Sequence, residues 1–240
     1  MNKLIQLISG PRNISTAMMY SFAQRSDTKV IDEPFYAAYL HNHNHIKHPA
    51  QEEILASQSI DPKLVVEELL FGEINSEYLF VKNMAHHCVG YDLDYMLNHR
   101  SIFLIRHPAL ILKSFSKVID KPTAEDIGIK REWELYELML KSAKFKPVVL
   151  DSAIFLNDPY RFCSKLCDAL GISFEPSMLE WEEGPLEEDG VWAKYWYTNV
   201  HKSTGFKQSQ TELPLLGGSL KEIEKEVLPY YEALREKAIK

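Results

Sequence analysis

Short apolar runs alternate with helical patterns along the chain. The apolar runs have the length of strands and cover residues 4–8, 29–32, 78–82, 102–105 and 147–151. The segments between them space their apolar residues as amphipathic or buried helices do. This alternation predicts an α/β fold, a three-layer α/β/α sandwich in which crossover helices join the strands of a central parallel sheet.

Later segments predict further helices over residues 130–144, over 158–170 up to Gly171, and over 220–240 with an interruption at Pro229. A chain of 240 residues, 45% of them hydrophobic, can bury one large core, so we predict a single domain over residues 1–240. Four histidines crowd residues 41–48 without a clear period. We interpret them as part of a solvated loop and predict no metal site.

Charge and cysteine content narrow the functional classes. The formal net charge is −7, which argues against nucleic acid as a partner, so cations that recognise an anion should act locally. No apolar run approaches the roughly 20 residues of a membrane span, so we expect no membrane partner. The first apolar run is also too short for a signal peptide. Cys88, Cys163 and Cys167 form no zinc motif and fit a reducing cytoplasm.

Two turns between a strand and a helix carry residues suited to anions. In the first, Arg12 precedes Ser15 and Thr16 at the start of a predicted helix. Unpaired backbone N–H groups and the helix dipole favour an anion there, and the guanidinium and hydroxyl groups add donors. A helix start capped by Ser15, with Arg12 solvated, would fit the same residues.

The second turn follows the fourth strand. Arg106 lies at the carboxyl end of that strand, and Ser114 lies eight residues later in a helix that Pro108 begins. A guanidinium beside a hydroxyl can orient a phosphate monoester, although a structural salt bridge of Arg106 would also fit. One ligand with two phosphate-like groups would account for both turns.

Polar residues also end the second and third strands. Glu33 follows the second strand, whereas Asp32 should face the opposite side of it. Lys82 ends the third strand, and His86 and His87 follow. Ligands of open parallel sheets collect beyond the carboxyl ends of the strands. That edge should therefore hold four chemically active side chains, namely Arg12, Glu33, Lys82 and Arg106.

Together these motifs resemble the sulfotransferase family. Its 5′-phosphosulfate loop commonly reads Pro-Lys-Ser-Gly-Thr-Thr, and residues 11–16 here are similar, although Ile14 occupies the position of the glycine. Arg106 and Ser114 have the spacing of the family's 3′-phosphate pair. Residues 33–36 resemble the segment that follows the second strand in several branches, and residues 200–206 loosely resemble the late loop over the 3′-phosphate.

The resemblance implies a P-loop nucleotide-hydrolase-like fold and a function. The donor would be 3′-phosphoadenosine-5′-phosphosulfate, and a sulfuryl group would pass to a hydroxyl or amine of a small acceptor without a metal. The implied donor-binding residues are Pro11, Arg12, Asn13, Ile14, Ser15, Thr16, Arg106, Ser114, Lys202, Ser203 and Gly205.

The resemblance also implies catalytic roles. Glu33 would take the proton of the acceptor as general base, with His86 or His87 as the alternative base. Lys82 would stabilise charge on the leaving-group oxygen, while Arg12 orients the phosphosulfate. Residues 36–61 would form a lid or insertion over the acceptor site.

Two other functions stay open. A P-loop-like kinase is disfavoured, because the loop lacks the GK[ST] motif and no magnesium carboxylate is evident. A non-catalytic nucleotide-binding protein remains tenable because of Ile14. We keep a homodimer as a hypothesis, and the sequence does not name the acceptor.

Overall fold

One parallel sheet forms the centre of the molecule. The computed structural model describes residues 3–43, 48–72, 75–208 and 212–240. In this part of the chain the strands are β1 (Lys3–Ser9), β2 (Thr28–Asp32), β3 (Tyr78–Met84), β4 (Arg100–Ile105) and β5 (Val148–Asp151). They pair in parallel in the order β2-β3-β1-β4-β5. Each predicted run is thus a strand, and the predicted parallel sheet is confirmed.

Helices pack on both faces of this sheet. They are α1 (Ser15–Ala23), α2 (Tyr36–Asn42), α3 (Gln51–Ser57), α4 (Pro62–Phe71), α5 (Asp94–Leu97), α6 (Pro108–Phe115), α7 (Ile129–Ser142), α8 (Ser152–Phe155), α9 (Pro159–Leu170), α10 (Ala193–Trp196), α11 (Thr198–His201) and α12 (Gly218–Arg235). Short 3₁₀ helices cover Ala85–His87 and Pro176–Leu179. The three-layer α/β/α class predicted from the sequence is therefore confirmed.

Alternating residues of β1 show why the strand runs are continuously apolar. Leu4 and Ile8 pack into the core cluster shared with α6, α7 and α12, whereas Ile5 and Leu7 pack into the cluster shared with α1 and α9. All four side chains are buried. A parallel sheet covered on both faces needs apolar residues at every position, so the strand pattern is a run rather than an alternation.

A third core cluster joins α2 and α3 to the segment 192–197. The predicted insertion at residues 36–61 thus begins as a buried wall, with Tyr36 and Leu40 in this cluster. The expected solvated loop is wrong for two of its histidines. His48 shares a hydrogen bond with the Tyr36 hydroxyl at 2.7 Å, and the His43 ring stacks on Tyr39. His45 lies outside the described residues.

The helix near the C-terminus differs from the prediction at Pro229. Instead of interrupting the helix, Pro229 lies inside α12. Proline removes one backbone hydrogen bond and crowds the preceding turn, at a cost of about 3 kcal/mol. Val227, Tyr231 and Leu234 of α12 are buried in the core. Their packing offsets the loss, and the helix continues.

Candidate active site

A cavity of about 390 Å³ lies at the carboxyl ends of the strands. Residues that follow all five strands line it, because parallel strands bring their carboxyl ends to one edge. The predicted residues that line it are Pro11, Arg12, Asn13, Ile14, Ser15, Thr16, Glu33, Lys82, His86, Arg106, Ser114, Ser203 and Gly205. The turns after β1 and β4 therefore open into one space, as the hypothesis of a single ligand with two anionic groups requires.

The loop between β1 and α1 has a left-handed residue, and it is Arg12 with φ of +56°. Ile14 has φ of −89°. The position that a glycine occupies in the common motif thus needs no left-handed backbone here, and a side chain fits without backbone strain. At Gly10 a Cβ would lie 2.5 Å from the Ile127 carbonyl oxygen, so only glycine fits this close approach.

The start of α1 has no side-chain cap. Ile14 occupies the N-cap position and makes no capping bond, so the alternative of a helix capped by Ser15 is wrong. Ser15, Thr16 and Ala17 of the first turn all line the cavity. Backbone N–H groups without an intrahelical partner at such a helix start favour an anion, and the helix dipole adds to the effect.

Two guanidinium groups lie beside this helix start. Arg12 Nε donates to Ser114 Oγ at 2.9 Å, and Arg12 Nη1 donates to the Trp196 carbonyl oxygen at 3.2 Å. Arg106 Nη1 donates to the carbonyl oxygen of Arg12 at 2.5 Å. Within the described ranges, neither arginine forms an ion pair with a carboxylate, so the structural salt bridge considered for Arg106 is not found.

Burial and mutual repulsion raise the free energy of these charges. Burial lowers the pKa of Arg12, and burial together with the charge of Arg12 lowers that of Arg106. Guanidinium groups nevertheless stay protonated in proteins. Two positive charges whose acceptors among the described residues are all neutral give this end of the cavity, the anion end, an environment suited to an anion.

A buried carboxyl lies behind the loop. Glu132 of α7 is 1% exposed, and its Oε1 has no hydrogen-bond partner among the described residues. Burial raises the pKa of Glu132 well above its ordinary value, and the nearby Gly10 amide acts in the opposite direction. Burial therefore favours the neutral form of this carboxyl and opposes a negative charge behind the anion end.

The other end of the cavity holds a closed network of charges. Lys82 Nζ donates to Asp32 Oδ1 at 2.8 Å, to Glu33 Oε1 at 2.6 Å and to the Tyr197 hydroxyl at 2.5 Å. The Lys82 side chain is 1% exposed. An ammonium group has three N–H donors, and all three are used here. Lys82 can reach a leaving-group oxygen only by releasing one of these partners.

Both carboxylates lie on the same side, contrary to the prediction for Asp32. The alternation of β2 ends at Asp32, and Glu33 has φ of +38° outside the strand. The Glu33 amide donates to the Lys82 carbonyl oxygen at 2.9 Å, and Gln58 Nε2 donates to the Glu33 carbonyl oxygen at 3.0 Å. These two bonds hold the turned backbone, so Glu33 and Asp32 reach the same ammonium.

Burial makes Glu33 a stronger base than an exposed carboxylate. It raises the pKa of Glu33, and Lys82 opposes the shift. For Lys82, burial disfavours the ammonium, but Asp32 and Glu33 outweigh it and raise the pKa of Lys82. Glu33 Oε1 is held by the network, whereas Oε2 accepts no hydrogen bond from the described residues. Oε2 is thus the oxygen that remains available to a ligand.

Burial shifts the pKa of the two histidines after β3 downward, opposite to its effect on Glu33. Burial lowers the pKa of His86 to about 3 and that of His87 well below its ordinary value. His87 stacks on Tyr36 with 4.5 Å between ring centroids, and its Nδ1 lies 3.8 Å from Glu33 Oε2. Both imidazoles are therefore neutral near pH 7, and burial weakens them as bases while it strengthens Glu33.

The family model described as a sulfotransferase domain matches residues 3–238. The chain belongs to the sulfotransferase family. Two curated proteins of Arabidopsis thaliana, branched-chain-amino-acid aminotransferase-like proteins 2 and 1, are each 36% identical to it over 237 residues. These matches cover 97% of this chain but 41% and 42% of the relatives, so the chain spans about two fifths of their length.

Solved structures show the sulfotransferase fold. The sulfotransferase domain from the curacin biosynthetic pathway is 16% identical, with a TM-score of 0.61 over 96% of this chain and 98% of that one. A sulfotransferase from Alicyclobacillus acidocaldarius is 11% identical, with a TM-score of 0.57 over 100% and 98% of the two chains. At such identities the likeness establishes the architecture, and the chemistry has to be argued from the site.

The late loop matches the sulfotransferase-based expectation only in part. Lys202 is exposed and does not line the cavity, whereas Lys207 does. The Ser203 hydroxyl donates to the Val200 carbonyl oxygen at 2.7 Å. A Cβ at Gly205 would lie 2.8 Å from a backbone oxygen of Leu179, so packing explains this glycine. The assignment of this loop to donor binding remains a prediction.

Sequence reasoning missed the aromatic segment that joins the two ends of the sulfotransferase site. Trp192, Trp196 and Tyr197 line the cavity, and the sequence pattern assigned no ligand-binding role to any of them. Tyr197 contacts Asp32, Glu33 and Lys82, while Trp196 contacts Arg12. Only the density of aromatic residues at 192–197 could have drawn attention to this segment.

Among the described residues, no group of three or more His, Cys, Asp or Glu side chains is placed to hold a metal ion. None of the helices in the described ranges is both long and apolar enough to cross a bilayer.

Proposed function

We propose that this sulfotransferase-family chain transfers a sulfuryl group from 3′-phosphoadenosine-5′-phosphosulfate to a hydroxyl or amine of a small acceptor. One observation carries the proposal. Two guanidiniums that have no carboxylate partner among the described residues and a buried basic carboxylate line the same cavity. The first feature suits a dianionic nucleotide, and the second suits removal of a proton beside it.

The anion end would position the donor. The first turn of α1, with Arg12, Ser15 and Thr16, would hold the 5′-phosphosulfate, and Arg106 with Ser114 would hold the 3′-phosphate. Arg12 now donates to Ser114 and to a backbone oxygen, both of which are neutral acceptors. An anionic oxygen is a stronger acceptor than either, so exchange of these bonds favours donor binding.

The carboxylate end would activate the acceptor. A bond forms between the acceptor oxygen or nitrogen and sulfur as the bond from sulfur to the phosphate oxygen breaks. The acceptor proton passes to Glu33 Oε2, and the bond electrons leave with adenosine 3′,5′-bisphosphate. Because the Glu33 pKa is raised by burial, Glu33 is the better candidate for base than His86 or His87. Positioning and charge stabilisation complete the catalysis.

The decisive experiment compares two nucleotides by thermal unfolding. Adenosine 3′,5′-bisphosphate should raise the melting temperature, because a ligand at about 100 times its Kd stabilises the folded state by about 2.7 kcal/mol. ATP with magnesium should have little effect. The reverse order would support the kinase alternative. Release of the bisphosphate from the donor then separates an enzyme from a binding protein.

Three finer assignments belong to the same proposal. Residues 36–61 would close over the acceptor, and protection of this segment from protease by the bisphosphate would support a lid. A reducing cytoplasm is supported by the free, buried thiols of Cys88, Cys163 and Cys167. The homodimer is tested by light scattering with and without the bisphosphate.

A further inference from the structure

We propose that Tyr197 is a positioning residue for sulfuryl transfer, whose hydroxyl fixes Lys82 and Asp32 so that Lys82 holds Glu33 in place. The inference rests on the proposed function, because it gives Tyr197 a part in preparing the proposed base. Tyr197 contributes no group to the donor or the acceptor in this scheme. It acts through the charges that it holds.

The hydrogen bonds of the Tyr197 hydroxyl are complete. It accepts from Lys82 Nζ at 2.5 Å and from Trp192 Nε1 at 3.0 Å. Its single proton has Asp32 Oδ2 as the nearest acceptor at 2.8 Å, while Glu33 Oε1 lies farther away at 3.4 Å. A phenol has one proton to donate and two lone pairs, so all its capacity is used. Such a fully satisfied network fixes the geometry of its members.

Burial explains why this geometry matters. The network side chains of Asp32 and Lys82 are each 1% exposed, and that of Glu33 is 8% exposed, so bulk water cannot replace a lost partner. Asp32 is further tied to the loop before α10 by a hydrogen bond from the Gly190 amide at 3.1 Å. Removal of one partner in a buried charged network leaves the others unsatisfied, and its effect is larger than that of an exposed bond.

The Tyr197 hydroxyl also shifts the pKa of Glu33 in a known direction. The Tyr197 hydroxyl, 3.4 Å from Glu33 Oε1, lowers the pKa of Glu33, so loss of the hydroxyl should raise that pKa. Other groups that face Glu33 must be held constant in the comparison. They are Asp32 on β2, Lys82 on β3, His87 after β3 and Tyr36 on α2.

The test is Tyr197→Phe, with Tyr195→Phe as matched control. Tyr195 lies two residues away in α10 and is 46% exposed, so its hydroxyl should not matter. Three quantities are measured: affinity for adenosine 3′,5′-bisphosphate, its release from the donor with water as acceptor, and the titration of Glu33 by ¹³C NMR. The resonance is assigned with Glu33→Gln.

We expect Tyr197→Phe to bind the bisphosphate within about twofold of the wild type, since the anion end is untouched. In this variant the rate at which the bisphosphate is released from the donor should fall about tenfold to a hundredfold, the range for a misplaced reacting group. The Glu33 titration and the acidic limb of the rate profile should both move to higher pH. Tyr195→Phe should match the wild type in all three measurements.

Equal losses of affinity and turnover, or an unmoved Glu33 titration in folded Tyr197→Phe, would overturn the inference. If this variant does not fold, Asp32→Asn tests the same network. Loss of the neighbouring negative charge should then move the Glu33 titration to lower pH, and no movement would again overturn it. Failure of the proposed function is distinct, because it appears as a wild type without bisphosphate binding or turnover, whereas the NMR titration needs neither.

Discussion

The two ends of the cavity contrast in how their charges are compensated. At the anion end, the half-buried Arg12 and Arg106 donate to neutral oxygens alone within the part of the chain that the structure describes. At the carboxylate end, two carboxylates surround one ammonium. Uncompensated charge is costly until a ligand of opposite sign arrives, whereas a paired network is stable without one. The difference supports the proposal that the first end recognises a ligand and the second sets reactivity.

Glu33→Gln should give the largest effect and sharpen this contrast most. The amide cannot accept the acceptor proton, so bisphosphate release from the donor should fall roughly 10²- to 10⁴-fold, the usual contribution of a general base. Affinity for the bisphosphate should stay within about twofold, because the anion end is unchanged. Turnover is measured by product release, and affinity by calorimetry.

Glu67→Gln is the matched control for this variant. Glu67 is an exposed acid in α4, outside the proposed lid, and should behave like the wild type in both assays. Retention of turnover in Glu33→Gln would transfer the role of base to His86 or His87.

Arg106→Ala should break the anion end instead. It removes one of the two unpaired guanidiniums, and a charge-assisted hydrogen bond together with its Coulomb energy accounts for about 3 kcal/mol, or roughly a hundredfold in affinity. Thermal stabilisation by the bisphosphate should disappear at concentrations that saturate the wild type. Lys113→Ala removes an exposed cation of α6 beside Ser114 and is the control. Equal weakening in both would indicate a general charge effect.

Ser114→Ala should have a smaller effect at the same end. Ser114 Oγ accepts from Arg12 Nε, and its loss leaves this half-buried donor without a fixed partner. We expect bisphosphate affinity to fall about tenfold, as for one hydrogen bond to a charged group. The Glu33-dependent acidic limb of the rate profile should not move. A displaced limb would show that the two ends are not separable.

Glu132→Gln separates burial from function, because Glu132 is a buried carboxyl outside the network. Its folded pKa is raised above the unfolded value, so its stabilising effect is complete below about pH 4.3 and is lost as pH rises through the folded pKa. Between the unfolded and the folded pKa, the unfolding free energy of the wild type should fall relative to that of Glu132→Gln by about 1.4 kcal/mol per pH unit. Urea unfolding from pH 5 to 8 measures it, and a constant difference would contradict the raised pKa.

The sheet could be predicted because each strand carries its own signal. Runs of apolar residues were sufficient to locate β1 to β5, since burial on both faces demands apolar residues throughout. The predicted strand ends were sufficient to place Arg12, Glu33, Lys82 and Arg106 together, and all four line one cavity. This step needs only the rule that parallel strands share a carboxyl edge.

The rest depends on backbone angles and distant contacts. Asp32 and Glu33 lie on the same side of the sheet edge because Glu33 has a positive φ. The alternation of side chains along a strand does not predict such an angle. The ordinary φ of Ile14 likewise could not be read from the missing glycine. Tyr197 is 164 and 165 residues away from the two carboxylates that it contacts, so nothing local marks it.

The order of the site residues along the chain has a consequence for synthesis. The loop, both arginines and both carboxylates leave the ribosome before the hydroxyl of Tyr197, which joins the carboxylate network. Until then the ammonium and its two acidic neighbours lack their shared partner. A nascent chain that carries both arginines and both carboxylates would thus still lack a complete carboxylate network until the segment around residue 197 has been made.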